Sequence, residues 1–200
     1  MKINLHKNIK FLKIIFEAFL LRRVWWFTSL ARTEARFSRT TLGSFWLGIS
    51  NLLSISLLSL VYGTVFKIEN FKEYVVYLGL GLALWNSLSS SISSAPNLLI
   101  QNEIKIKNTN LNIIFYPCEE WAFQIQNFLQ SFILVFFVLI FFEKSIIFNF
   151  VFYSILPLIN FLIFSFWFPL IISILGVRFR DLYQLIPIIL QLTFLLSPIL

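Results

Sequence analysis

The chain has 200 residues, a mean hydropathy of +0.84, 58% hydrophobic and 12% charged side chains, and a formal net charge of +7. Such apolarity lies outside the soluble globular range and predicts an all-α integral membrane protein. In that setting the basic excess reads as the positive flank of membrane segments rather than as a nucleic-acid surface. Cys118 is the single cysteine and His6 the single histidine, so neither an intramolecular disulfide nor a cysteine-based metal site is expected.

Residues 1–43 hold nine of the sixteen Lys and Arg. Leu5, Ile9, Leu12, Phe16 and Phe19 recur at helical spacing, and His6, Lys10, Lys13 and Glu17 recur on another face. This interleaving differs from the continuous apolar core of a cleavable signal peptide. It predicts an amphipathic helix lying in the membrane interface, broken into two pieces, with Trp25 and Trp26 as anchors at headgroup depth. Arg32, Arg36 and Arg39 fall on one face and serve either as lipid-phosphate contacts or as topology anchors.

Residues 44–200 predict a transmembrane domain of five spans: 44–66, 74–99, 121–142, 150–175 and 182–200. Each approaches the ~20 apolar residues that ~30 Å of hydrocarbon requires. The second half of span two is rich in serine (Ser87, Ser89, Ser90, Ser91, Ser93, Ser94) and ends at Asn97. Such residues serve helix packing or line a polar pathway. Gly79 and Ala83 read as a small-residue packing step, Pro96 as a weak point near the end of the span, and Pro157 and Pro169 as kinks in span four.

Residues 100–120 read as a polar connection, with Glu119 and Glu120 favoured at the start of the helix that follows. Segments 1–43, 100–120 and 176–181 carry thirteen Lys and Arg, against three in 67–73 and 143–145. The imbalance predicts a cytosolic N-terminus.

Gly43 and Gly48 have the outer spacing of a phosphate-binding loop, but Ile49 stands where its lysine belongs. Gly79 and Gly81 lack the third glycine of a dinucleotide fingerprint. No predicted span carries an ionisable residue near its centre, which argues against an ion-coupled carrier. Asp181 is the only aspartate, a poor basis for a membrane enzyme acting on a polyprenyl lipid.

Four segments in register resemble the ABC-type polysaccharide-export permeases that handle O-antigen, teichoic acid or capsule. They are RTEARFSRTTLGSFW (32–46), YLGLGLALWN (77–86) with the serine-rich stretch behind it, GVRFRDL (176–182) and LTFLLSPI (192–199). The resemblance implies a non-enzymatic permease subunit of the bacterial inner membrane, exporting a lipid-linked glycan as a homodimer. ATP and Mg would be held by a separate ATPase subunit.

The same resemblance makes the loop at 101–117 the ATPase-coupling element, through Glu103, Lys105, Lys107 and Asn108. It makes Arg178, Arg180 and Asp181 a cytosolic loop, and the N-terminal region a gate helix whose Arg32, Arg36 and Arg39 receive lipid phosphate. Phe45, Tyr62 and Trp85 are candidates to line a pore, with lipid contact or core packing as the alternative for each. Members of the family carry a sixth span. The sequence stops before one, which implies a truncated reading frame or a fragment. A permease for a drug or lipid, and a non-transporting remnant, are the alternatives.

Overall fold

The computed structural model describes residues 15–197, apart from the side chain of Asn149. The first half of the predicted amphipathic helix, with Leu5, His6, Ile9, Lys10, Leu12 and Lys13, lies outside the described residues, as do 198–200. Residues 15–20 are helical and lead through Leu21 into α1 (Arg22–Phe37). There follow α2 (Phe45–Val65), α3 (Phe71–Gln101), α4 (Glu103–Asn108), α5 (Phe115–Phe142), α6 (Ile146–Tyr153), α7 (Ile155–Arg178) and α8 (Leu182–Leu196). No strand occurs among the described residues.

Four helices, α2, α3, α5 and α7, are long and apolar enough to cross a membrane, and α8 is a shorter apolar helix. At 1.5 Å per residue the 31 residues of α3 measure about 46 Å and the 28 of α5 about 42 Å. Both exceed the ~30 Å of hydrocarbon, so each continues past it. α3 is the central helix and packs against α2, α5, α7 and α8, while α1 packs along the first half of α5.

Prolines decide several boundaries. α5 begins at Phe115 rather than at 121, because Pro117 sits in a first turn, where its missing N–H costs no hydrogen bond. Residues 115–120, expected in the connection, are therefore helical. Span four is divided: α6 ends at Tyr153, Ser154 separates it from α7, and Pro157 falls in the first turn of α7 instead of kinking a continuous helix. Pro96 and Pro169 lie inside their helices, and α3 runs on to Gln101. Gly43 turns the chain between α1 and α2 with a φ of 57°, where a side chain would be strained.

Three apolar clusters hold the bundle. One joins residues 15–25 to α5 and α7 through Ala18, Trp25, Phe115, Ala122 and Phe166. A second joins α2, α3 and α5 through Ile55, Leu78, Phe132, Val135 and Leu139, and a third joins α3, α7 and α8 through Ile92, Ile172 and Ile186. Gly79 is buried, and a Cβ there would stand 3.1 Å from Leu139 and 3.5 Å from Ile55. It acts as the expected packing step.

α3 and α7 approach each other closely at Gly176. A Cβ on Gly176 would stand 2.2 Å from the backbone oxygen of Pro96. Helices that touch backbone to backbone gain dispersion contacts that lipid cannot supply. Gly176→Ala is therefore expected to lower the melting temperature in detergent by several degrees, whereas Val177→Ala, on the exposed side of the same turn, leaves it unchanged. Equal melting of the two variants would refute the close approach.

Candidate functional site

Glu120, Gln124, Asn127 and Ser131 follow one another at steps of four, three and four along α5, which puts them within one narrow face of the helix. On α3, Ser87, Ser90, Ser94, Asn97 and Gln101 repeat at steps of three and four and are half-buried or exposed. Ser90 Oγ donates to Gln124 Oε1 at 3.0 Å and joins the two rows. The result is a polar groove within an otherwise apolar bundle.

At its inner end the groove is tied by three amide and hydroxyl groups. Asn86 Nδ2 donates to Asn51 Oδ1 at 2.9 Å, and Asn51 Nδ2 donates to Ser131 Oγ. These bonds link α3, α2 and α5 at the middle of α3 and α5. A cavity of about 160 Å³ opens beside them, lined also by Ser50, Ser87, Ser90 and Asn127, with Phe128 as an apolar wall and Arg36 of α1 at its rim. Beyond Ser131 the same helices turn apolar, and Phe132, Val135, Leu78 and Leu139 close the bundle. The groove is polar at one end and sealed at the other.

The three expected anion-contact arginines take different positions. Arg32 Nη1 lies 2.6 Å from Glu120 Oε2, and its guanidinium stands 4.1 Å from the centre of the Phe123 ring. The Glu120 side chain is 7% exposed and the Arg32 side chain 47%. Gln124 Nε2 donates to the other Glu120 oxygen at 2.8 Å. The pair, with Gln124 and Ser90, forms a relay from α1 through α5 to α3. Glu120 thus answers a cation on a neighbouring helix and not the start of its own, because α5 begins five residues earlier. Arg36 faces the cavity, and Arg39 is exposed in the turn after α1.

Of the two expected interface anchors, Trp25 is buried. Its Nε1 donates to the Ala18 carbonyl at 3.2 Å, and its ring packs 6.1 Å from Trp121. A Trp inside protein with its N–H satisfied does not anchor a headgroup layer. Trp26 remains 37% exposed. Gln126 Nε2 donates to Ser29 Oγ at 2.8 Å and reaches the Trp26 carbonyl at 3.3 Å, so α1 is also hydrogen-bonded to α5.

The remaining expected residues divide between two regions. Glu103, Lys105, Lys107 and Asn108 form exposed α4. The Glu103 carboxyl is held below its ordinary range first by its hydrogen bond to Lys107 and the charge of that residue, with a further contribution from Arg180. The 101–117 and 176–181 segments therefore share one end of the molecule. At the other end, hydrogen bonds from Ser145 lower Glu143, and the Lys72 charge adds to them. Arg178 stacks on Phe179 at 5.5 Å, and Asp181 precedes α8, its carbonyl accepting from Gln184 and Leu185.

The aromatic candidates are not brought together. Phe45 is exposed at the start of α2, Tyr62 stacks on Phe66 at 5.8 Å near its end, and Trp85 packs 5.7 Å from Phe194 of α8. Missing from the expected set were Asn51, Asn86, Gln124, Asn127 and Ser131. For Gln124, Asn127 and Ser131 the signal was the helical spacing of polar residues on α5 inside a long apolar run; Asn51 on α2 and Asn86 on α3 lie outside that pattern. Among the described residues, no three His, Cys, Asp or Glu side chains gather as metal ligands.

No protein-family model matches the chain, and no curated protein matches it.

Removing Arg32 leaves Glu120 charged and buried with one fewer partner. Arg32→Gln is expected to destabilise the folded chain by about 1–2 kcal/mol, a value reduced because Arg32 is half exposed. Arg32→Gln combined with Glu120→Gln is expected to recover part of that loss, since the buried charge is gone. Thermal unfolding of the two single variants and the double variant measures the coupling, and strictly additive effects would exclude the pair.

Proposed function

We propose that the chain is the membrane-spanning permease subunit of an ATP-driven exporter that moves a lipid-linked glycan out of the bacterial cytosol. The observation that carries this reading is the groove: polar and arginine-rimmed at one end, neutral at mid-bundle, and sealed by apolar side chains beyond. A cargo of hydroxyls and phosphate finds partners along such a path, and an apolar tail can stay in lipid beside it. Helices with no ionisable group near their centres offer no site for coupling to a proton or ion gradient. Energy then comes from a partner, and the shared end bearing α4 and the 176–181 loop is a polar surface for an ATPase to grip.

In this reading the arginine-rich end faces the cytosol, as the Lys and Arg imbalance requires. α8 belongs to a fifth crossing, and α1 with the helical residues before it lies at the cytosolic interface, beside the parts of α3 and α5 that outrun the hydrocarbon. The protein sits in the inner membrane and works as a pair of permease chains with two ATPase subunits.

Affinity purification from native membranes in mild detergent, followed by mass spectrometry, is expected to bring down a stoichiometric ATPase. Side-specific thiol labelling supplies the second readout, in a Cys118→Ser background. Ser87→Cys and Ser94→Cys are expected to react with a membrane-impermeant maleimide from the cytosolic face only, and Leu78→Cys from neither face. An intact, folded chain without an ATPase, or Ser87→Cys and Ser94→Cys that label only from outside, overturns the reading.

A further inference from the structure

We infer that the cavity beside Asn51, Asn86 and Ser131 is a binding subsite for a single anionic sugar ring, with the ring's carboxylate or phosphate on Arg36. Its volume, about 160 Å³, is that of a pocket for one six-membered ring; an apolar cavity of about 150 Å³ takes up one benzene. This cavity is polar where that one is dry, so its ligand must bring hydrogen-bonding groups.

The hydrogen bonds already made fix what the walls still offer. Asn86 uses its Nδ2 on Asn51, which leaves its Oδ1 as an acceptor. Ser131 accepts from Asn51 and keeps its own hydroxyl proton to donate. Asn127 Oδ1, also in the lining, is buried with no donor. A buried carbonyl without a donor costs about 1–3 kcal/mol, a penalty that a ligand hydroxyl removes. Two acceptors and a donor match sugar hydroxyls, which both give and receive. The Phe128 ring provides the apolar wall that the C–H face of a pyranose needs.

The charge selects among sugars. Arg32 is taken up by Glu120, whereas Arg36 reaches the cavity with no carboxylate partner among the described residues. A guanidinium that stacks only on its neighbour Phe37, with no carboxylate beside it, favours a ring bearing a negative group, because a charge-assisted hydrogen bond is about twice as strong as a neutral one. The inference deepens the export reading, resting on it for the source of the cargo but not for binding itself.

Calorimetric titration of the purified chain in nanodiscs tests the site, with glucuronate, glucose 6-phosphate, glucose, acetate and inorganic phosphate as probes. Glucuronate or glucose 6-phosphate, or both, is expected to bind at least tenfold more tightly than glucose, and whichever binds identifies the anion. Acetate and inorganic phosphate are expected to give no heat at the same concentrations. Arg36→Gln is expected to bring the anionic sugar down to the level of glucose. Lys144→Gln, which removes one positive charge at the other end of the molecule, is expected to leave binding intact, and melting curves of both variants check their folding.

Equal affinity for glucose and the anionic sugars, equal losses in the two charge variants, or no binding of either anionic sugar to a folded chain overturns the proposal. A chain that captures an ATPase but binds no anionic sugar keeps the export reading and loses this one. A chain that binds glucuronate through Arg36 and captures no ATPase does the reverse.

Discussion

Neutral polar side chains in hydrocarbon have few partners other than one another, and the Asn86–Asn51–Ser131 chain of hydrogen bonds is where this bundle meets that constraint. Each bond joins a different pair of helices, so together they fix the relative heights of α2, α3 and α5. The apolar packing above them is less directional. Ile55, Leu78, Val135 and Leu139 would fill space nearly as well after a small slide. A slide of one turn would instead strand two amides without partners. Register in this part of the molecule is thus set by polarity and filled in by apolar packing.

The same logic explains how α1 is attached. Its outer face is apolar and exposed at Val24 and Phe27, while its inner face meets α5 through Trp25, Ser29 and Arg32. Two of those contacts are polar and reach residues on or beside the groove wall. Arg36, one turn past Arg32 on the same helix, lines the cavity. Any displacement of α1 therefore moves the cavity rim and loads the Arg32–Glu120 pair together. On the export reading, α1 would act as a gate, because the helix at the interface is mechanically continuous with the groove wall.

Much of the fold was legible in the sequence because bilayer length and hydrophobicity leave few alternatives. The four long helices, the Gly79 packing step and the shared end of the 101–117 and 176–181 loops all follow from local pattern. The boundaries at 115 and 154 were not legible, since a proline reads alike from sequence whether it breaks a helix or opens one; only the register of Pro117 and Pro157 against the first turn decides. The site was legible at Arg36 and in the serine row of α3. Asn51 and Ser131 were hidden because nothing local marks either as a site, and their meaning comes from a partner 80 residues away. Trp25 was misread for a related reason: interfacial and buried tryptophans share one composition, and the partner that buries this one, Trp121, lies on another helix.

The groove also constrains any transport mechanism that uses it. From the rim to Ser131 a polar cargo trades water for hydroxyls and amides at little net cost, since the walls supply comparable partners. At Phe132 that compensation stops, and the next turns of α3 and α5 offer only hydrocarbon. Thermal motion can fill the polar half but cannot carry a polar ring through the seal, because each unsatisfied hydroxyl there costs several kcal/mol. Opening the seal means separating α2, α3 and α5 where they are best packed, and the Asn86–Asn51–Ser131 bonds lie directly beneath that point. Those bonds must break for the seal to widen, and the sugar hydroxyls that replace them would arrive with the cargo itself. On the export reading, an occupied cavity lowers the cost of opening, whereas an empty one leaves two amides unpaired. Work done by an ATPase would then be directed to loaded chains, without any residue dedicated to sensing the load.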